Sequence, residues 1–191
     1  MRLMRVVIST LVVGLIMACT SGSAGQVATP SPQTYEQLAA RPLKLPVVAA
    51  GQACPASAIT LLGGTAPRVG TSVRFGFGIR ADGSMWPSGS YAFNKTVWDF
   101  SGPPWLRDVL LRGSRLDGDG KLFFGGNGIT SGAGAGITVI DSKGGVVPFY
   151  PRLRLPVDSN AAFYLYPTAA GCFAIQADSD AFSEVVVFRA V

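Results

Sequence analysis

The chain contains no histidine, and that absence removes much familiar chemistry. Ser–His–acid and Cys–His mechanisms need an imidazole as general base, and imidazole is also the commonest metal ligand. Cysteine is scarce: there are three, with no Cys-x-x-Cys spacing, so neither a zinc ribbon nor a thioredoxin-type redox motif is encoded. Charged residues make up only 14% of the chain and form no dense basic cluster, which argues against a nucleic-acid-binding stripe. Nor is the N-terminal apolar run, Val6 to Ala18, long: it has 13 residues. At about 1.5 Å per helical residue it spans about 20 Å, too little for a hydrocarbon core of about 30 Å.

Arg2 and Arg5 precede that run, so it reads as the apolar region of a secretory signal. It ends in Ile16-Met17-Ala18-Cys19. This resembles the lipobox of bacterial lipoproteins, with an aliphatic residue at −3, a small one at −1 and then Cys. The resemblance implies cleavage before Cys19, lipid attachment to Cys19 and a membrane partner through that lipid. The competing reading is an ordinary signal peptide with Cys19 incidental. The polar stretch Thr20-Ser21-Gly22-Ser23 that follows favours the lipoprotein. The expected address is the outer face of the cell membrane, or the outer membrane in a host that has one. Loss of Arg2 and Arg5 takes the net charge from +5 to +3, with 14 basic residues against 11 acidic.

With Cys19 lipidated, Cys54 and Cys172 remain. An even pair in an exported domain predicts a disulfide, because thiols are not kept reduced there. It would close a loop of more than a hundred residues, which the chain-entropy model values at about 4–5 kcal/mol. The alternative, a metal-binding or catalytic thiol, lacks any His partner.

Three regions are predicted: a signal peptide over 1–18, a lipidated Cys and flexible tether over 19–42, and a β domain over 43–191. Thr20 to Pro32 is rich in Ser, Gly, Ala, Thr and Pro, as flexible linkers are. Thr34 and Gln37 stand at capping-box spacing, so 34–40 predicts one or two helical turns, stopped by Pro42. Beyond Leu43 the pattern is β. Val73, Phe75, Phe77 and Ile79 alternate with small or charged residues. Further strands are predicted over 91–100, over 109–111 with an end at Gly113, and over 121–124 and 137–140. The rest lie over 146–157, 162–166, 172–178 and 183–189. Eight to ten short strands with Gly, Asp or Pro turns indicate one antiparallel sandwich or barrel. About 150 residues suffice for one core.

Several segments resemble a family of uncharacterised secreted bacterial proteins. They are Arg41-Pro42-Leu43-Lys44-Leu45-Pro46 with Gly51 and Cys54-Pro55; Val109 to Gly118; Gly171 to Asp178; and Phe182 to Phe188. The resemblance implies an immunoglobulin-like (Ig-like) β-sandwich whose terminal hairpin is tied by the disulfide to the entrance of the domain. It carries no functional residues with it.

Candidate sites are few. No Ser-x-x-Lys motif includes Lys44, Lys95, Lys121 or Lys143. Gly125-Gly126-Asn127-Gly128 and Gly132 to Gly136 match neither phosphate-loop pattern and precede a strand, so they read as a Gly-rich hairpin or loop. Asp117-Gly118-Asp119-Gly120 has Lys121 where a calcium loop needs an acid and reads as a turn. Asp178, Asp180 and Glu184 read as solvated acids of a hairpin turn. Trp98 falls in a strand pattern and reads as core. Trp86 and Trp105 lie in loop contexts, where aromatics can stack on sugars or clasp a peptide, or else fold back over the sandwich ends. Tyr91 and Arg107 are their nearest candidate partners. The composition points to a non-catalytic, membrane-anchored extracytoplasmic domain without cofactor or metal, which binds an envelope protein, peptide or glycan or serves in envelope structure. The alternative is a cell-wall-directed hydrolase, which would need two carboxylates across a cleft.

Overall fold

The computed structural model describes residues 33–49, 51–62, 66–71, 73–76, 84–85, 94–100, 109–126, 136–140, 144–155 and 162–191. All belong to one compact unit, Pro32–Val191.

That unit is almost wholly β. Its one described helix, α1 (Tyr35–Ala40), begins with the expected capping box. The Gln37 N–H donates to Thr34 Oγ1 at 3.3 Å, and the Thr34 N–H donates to Gln37 Oε1 at 2.7 Å. Together they satisfy two of the donors that every helix start leaves open. The helix ends where Arg41 turns extended ahead of Pro42, because proline disfavours the helical conformation in the residue before it.

Thirteen strands follow among the described residues: β1 (Ile59–Leu62), β2 (Ala66–Val69), β3 (Val73–Gly76), β4 (Ser84–Met85), β5 (Asn94–Phe100), β6 (Val109–Arg115), β7 (Leu122–Gly125), β8 (Ile137–Ile140), β9 (Val146–Tyr150), β10 (Arg152–Leu155), β11 (Phe163–Pro167), β12 (Gly171–Asp178) and β13 (Ser183–Ala190). They form an eight-stranded sheet, β1-β2-β3-β5-β11-β7-β9-β8, and a five-stranded sheet, β10-β6-β12-β13-β4. All pairings are antiparallel except the short one between β4 and β13.

The expected all-β sandwich is therefore the fold, with more strands than the eight to ten predicted. One addition has a clear cause. The run 146–157 is split at Pro151, and its halves enter different sheets, β9 in the larger and β10 in the smaller. Strand β6 differs in the other direction, running through Gly113 rather than ending there. A Cβ on Gly113 would stand 2.6 Å from both the Ala174 carbonyl oxygen and Leu122 Cδ2. The glycine marks close approach within a strand, not a strand end.

Alternation decides which face of each strand meets the other sheet. Val109 and Leu111 of β6, Phe173, Ile175 and Ala177 of β12, and Val186 and Phe188 of β13 point inward from the smaller sheet. They meet Phe75, Leu122, Phe124, Phe163 and Leu165 of the larger one. Phe75 and Phe163 pack edge to face with centroids 6.0 Å apart. Each fully buried side chain of this size contributes about 1.5–3 kcal/mol relative to exposure.

β12 is buried along its whole length after Gly171. Its outward residues are covered by the segment between α1 and β1, with Val48 and Leu45 packing on Cys172, Ala174 and Val187. That segment lies on the smaller sheet as a strap.

Candidate functional site

Two polar constellations flank β12, one along the strap and one at the disulfide. The strap runs antiparallel to β12 on its outer face. The Gln33 N–H donates to Asp180 at 2.8 Å, and Arg41 donates to the Ser179 carbonyl at 2.8 Å. The Gln176 amide then behaves like a backbone unit: its Oε1 accepts from the Lys44 N–H at 2.6 Å, and its Nε2 donates to the Pro42 carbonyl at 3.3 Å. Cys54 is joined to Cys172, with Cα atoms 5.4 Å apart. Ser57 and Val187 exchange two bonds of 2.9 Å.

Arg112 and Asp178 centre this line of contacts. Arg112 Nη2 lies 2.6 Å from Asp178 Oδ2, and the Asp178 carboxylate is fully buried. The same carboxylate accepts from Ser183 Oγ at 2.7 Å and from Gln176 Nε2 at 3.0 Å. Arg112 Nη1 donates to the carbonyls of Ala39 and Arg41 at 3.1 and 2.6 Å. A buried ion pair is tolerated only when its remaining hydrogen-bonding groups are also engaged. Here only Arg112 Nε is left without a partner.

These contacts correct the reading of Asp178 as a solvated turn acid, while Asp180 stays exposed and Glu184 half-buried. Asp178 is buried in the ion pair, Asp180 holds Gln33, and Glu184 accepts from both the N–H and the hydroxyl of Thr71. Ser179 shapes the turn itself: its N–H donates to the Phe182 carbonyl at 2.9 Å, and its Oγ accepts from the N–H groups of Ala181 and Phe182. The carboxylates are thus spent on tertiary contacts.

The second constellation is a half-open cleft of about 750 Å³ beside the disulfide. Cys54, Cys172, Arg115, Asp117, Arg189 and Gln52 line it, over small residues such as Ala56 and Ala190. Arg115 ends β6. Its Nε donates to Asp117 Oδ1 at 2.6 Å, and Asp117 Oδ2 accepts from the Cys172 N–H at 3.1 Å. The Arg115 bond, helped by the Cys172 N–H, holds the Asp117 carboxyl below its ordinary pKa. The turn of Asp117 to Gly120 therefore has the first of its two acids engaged by an arginine. Gly171, at φ +154°, is required beside that arginine, because a Cβ there would stand 2.5 Å from Arg115 Nε and 2.8 Å from Cζ. A side chain at Gly120 would meet Arg115 Cδ at 2.7 Å. The guanidinium packs closely against these glycines, and among the described residues its Nη1 and Nη2 groups meet no protein acceptor.

Of the residues singled out from sequence, Cys54 and Cys172 are brought together as a disulfide. Cys19, Trp86, Tyr91, Trp105 and Arg107 lie outside the described residues, and of Trp98 only its place on β5 is described. The Gly-rich segment after β7 leads to β8. Those two strands are separated in the sheet by β9, and residues 127–135 of the segment lie outside the described residues. Arg112, Arg115 and Gln176 were not anticipated. A signal existed in each: an arginine inside the apolar run of β6, and a strand β12 with no alternation of exposed residues, which implies cover on both faces.

No family model, curated protein or solved structure matches the chain.

Proposed function

We propose that this chain is an exported, lipid-anchored protein, held to the outer face of a membrane through Cys19, whose β-sandwich is a non-catalytic binding domain of the cell envelope. The observation that carries this reading is the strap. Contacts from Gln33 to Ser57 fix the N-terminal entry of the domain to the smaller sheet, chiefly to β12, β13 and the turn between them, and one of them is covalent. A domain tethered by its N-terminus needs its first segment secured to the core, and a disulfide there suits an oxidising compartment. Binding is favoured over hydrolysis by the cleft. Among the described residues it presents one acidic side chain, Asp117, which Arg115 keeps ionised. A glycosidase needs a second carboxyl that can donate a proton.

Radiolabelled palmitate supplied to expressing cells tests the anchor. Label on the wild-type chain and none on Cys19→Ala supports it; equal labelling of both, or none on either, removes it. Retention of the chain on envelope fractions tests the binding role, and Trp86→Ala and Trp105→Ala variants test whether those aromatics carry it. Envelope fractions that retain none of the wild-type chain would remove the binding role.

A further inference from the structure

We propose that the cleft beside Cys54–Cys172 is a binding site for a small monocarboxylate with a short apolar body, seated on the Nη1/Nη2 edge of Arg115. This assignment rests on the binding-domain reading above and names its ligand class. Three observations lead to it. Arg115 is held from one side: Asp117 takes Nε, and the side chain packs closely against Gly120 and Gly171, where a Cβ would collide with it. Among the described residues its distal edge meets no protein acceptor, and the side chain as a whole is 22% exposed. Such an edge presents two parallel N–H donors at the spacing of a carboxylate's two oxygens. A guanidinium immobilised before binding avoids the ordering cost that a free surface arginine would bear.

The surroundings select among anions. Arg189, exposed and without a polar partner among the described residues, lines the same cleft. Arg115 and Arg189 stand against the Asp117 side chain and the Val191 main-chain carboxylate in the lining, so the cleft has no surplus positive charge to hold a phosphate dianion and suits a singly charged carboxylate at most. The remaining walls are alanines, Gly51, Gly171, Val191, the disulfide and the polar side chain of Gln52, small groups that leave room for a short apolar body beside the carboxylate. At about 750 Å³ the cleft admits a ligand of amino-acid or dipeptide size.

N-acetylalanine, titrated into the oxidised, ¹⁵N-labelled full chain, is a direct probe. The expected result is saturable movement of the Arg115 Nε–H signal and of the Gly171 and Cys172 amides, with a dissociation constant on the order of 1 mM. Arg115→Lys keeps the charge but loses the fork and should weaken binding about ten-fold. Arg189→Gln, an exposed change that leaves the fold intact, should weaken it about three- to five-fold. The assignment is overturned by no saturable shift at about 20 mM probe, by equal binding of the uncharged N-acetylalanine amide, by tighter binding of inorganic phosphate, or by wild-type affinity in the Arg189→Gln variant. Envelope retention without N-acetylalanine binding would overturn the ligand class and leave the binding-domain reading standing. Loss of both would remove the reading itself.

Discussion

Replacing Asp178 by alanine removes the acceptor at the centre of the strap. In the folded protein this carboxylate is fully buried and takes hydrogen bonds from Arg112, Gln176 and Ser183. Its loss leaves the Arg112 guanidinium, only 11% exposed, with two carbonyl acceptors and no counter-charge. Arg41, whose Nη1 is 3.8 Å from the carboxylate, becomes a second uncompensated cation facing the same void. Breaking one side of such a pair costs about 3–5 kcal/mol, against a total stability of about 5–15 kcal/mol for an ordinary domain. For a unit spanning Pro32–Val191, each kcal/mol moves the melting temperature by about 2–4 °C. The expected fall is therefore about 6–20 °C, read by circular dichroism on the oxidised chain at pH 7. Amide exchange should show α1 and residues 41–45 opening before the sheet, because their anchors are the ones removed. Arg112→Met combined with Asp178→Leu removes both charges and should recover part of the loss. A melting temperature within about 2 °C of wild type for Asp178→Ala would refute the claim that this ion pair holds the strap.

Four further outcomes follow from the same contacts. Cys54→Ser opens a loop with a sequence separation of 118, worth at most about 5 kcal/mol in the chain-entropy model, so urea unfolding should shift well to lower denaturant; an unchanged midpoint would contradict the bridge. Tyr35→Phe should leave stability unchanged or raise it by up to about 1 kcal/mol, because the Tyr35 hydroxyl is buried without a partner and such a group carries a net desolvation penalty; the ring keeps its place under Arg152, 5.6 Å away. Gly113→Ala should cost about 1–3 kcal/mol through overpacking against the Ala174 carbonyl, and a neutral result would mean that β6 and β12 can separate there freely. Folding lowers the pKa of Asp117 from its ordinary 3.8, so its contribution is complete above that value and disappears as pH falls through the lower folded value; the Cys172 amide should titrate with a midpoint below 3.8, and a midpoint above it would contradict the Arg115 contact.

Much of this architecture could be read from the sequence because its signals were local. Thr34 and Gln37 carry their capping role in their spacing, and Ile137–Ile140 begins and ends as a strand where β-branched residues do. The failures arose where one residue type serves two physical purposes. Glycine in Val-Leu-Leu-Arg-Gly looks like a strand end, yet Gly113 is there because Ala174 and Leu122 come too close for a Cβ. Acids next to a hairpin turn look solvated, yet Asp178 faces Arg112 across a strand pairing 66 residues away in sequence. Nothing local distinguishes a carboxylate that faces water from one that faces a distant arginine.

The strap and the cleft share a strand, and that sharing has a consequence for function. β12 begins at Gly171, beside Arg115 and the disulfide, and ends at Asp178, beneath α1. The N-terminal segment therefore engages the strand at both ends: covalently through Cys54 at the cleft, and through Arg112 and Asp178 at the helix. In the tethered arrangement proposed above, force on the N-terminus would meet the Gln33, Arg41 and Lys44 contacts before it reached the disulfide. Those contacts are hydrogen bonds and ion pairs that can open and re-form, whereas Cys54–Cys172 keeps the cleft wall in register while they do. A polar latch in series with a covalent stop lets the tether yield at the helix end without disturbing Arg115. A chain with its two attachments in the opposite order would transmit each pull directly to the cleft.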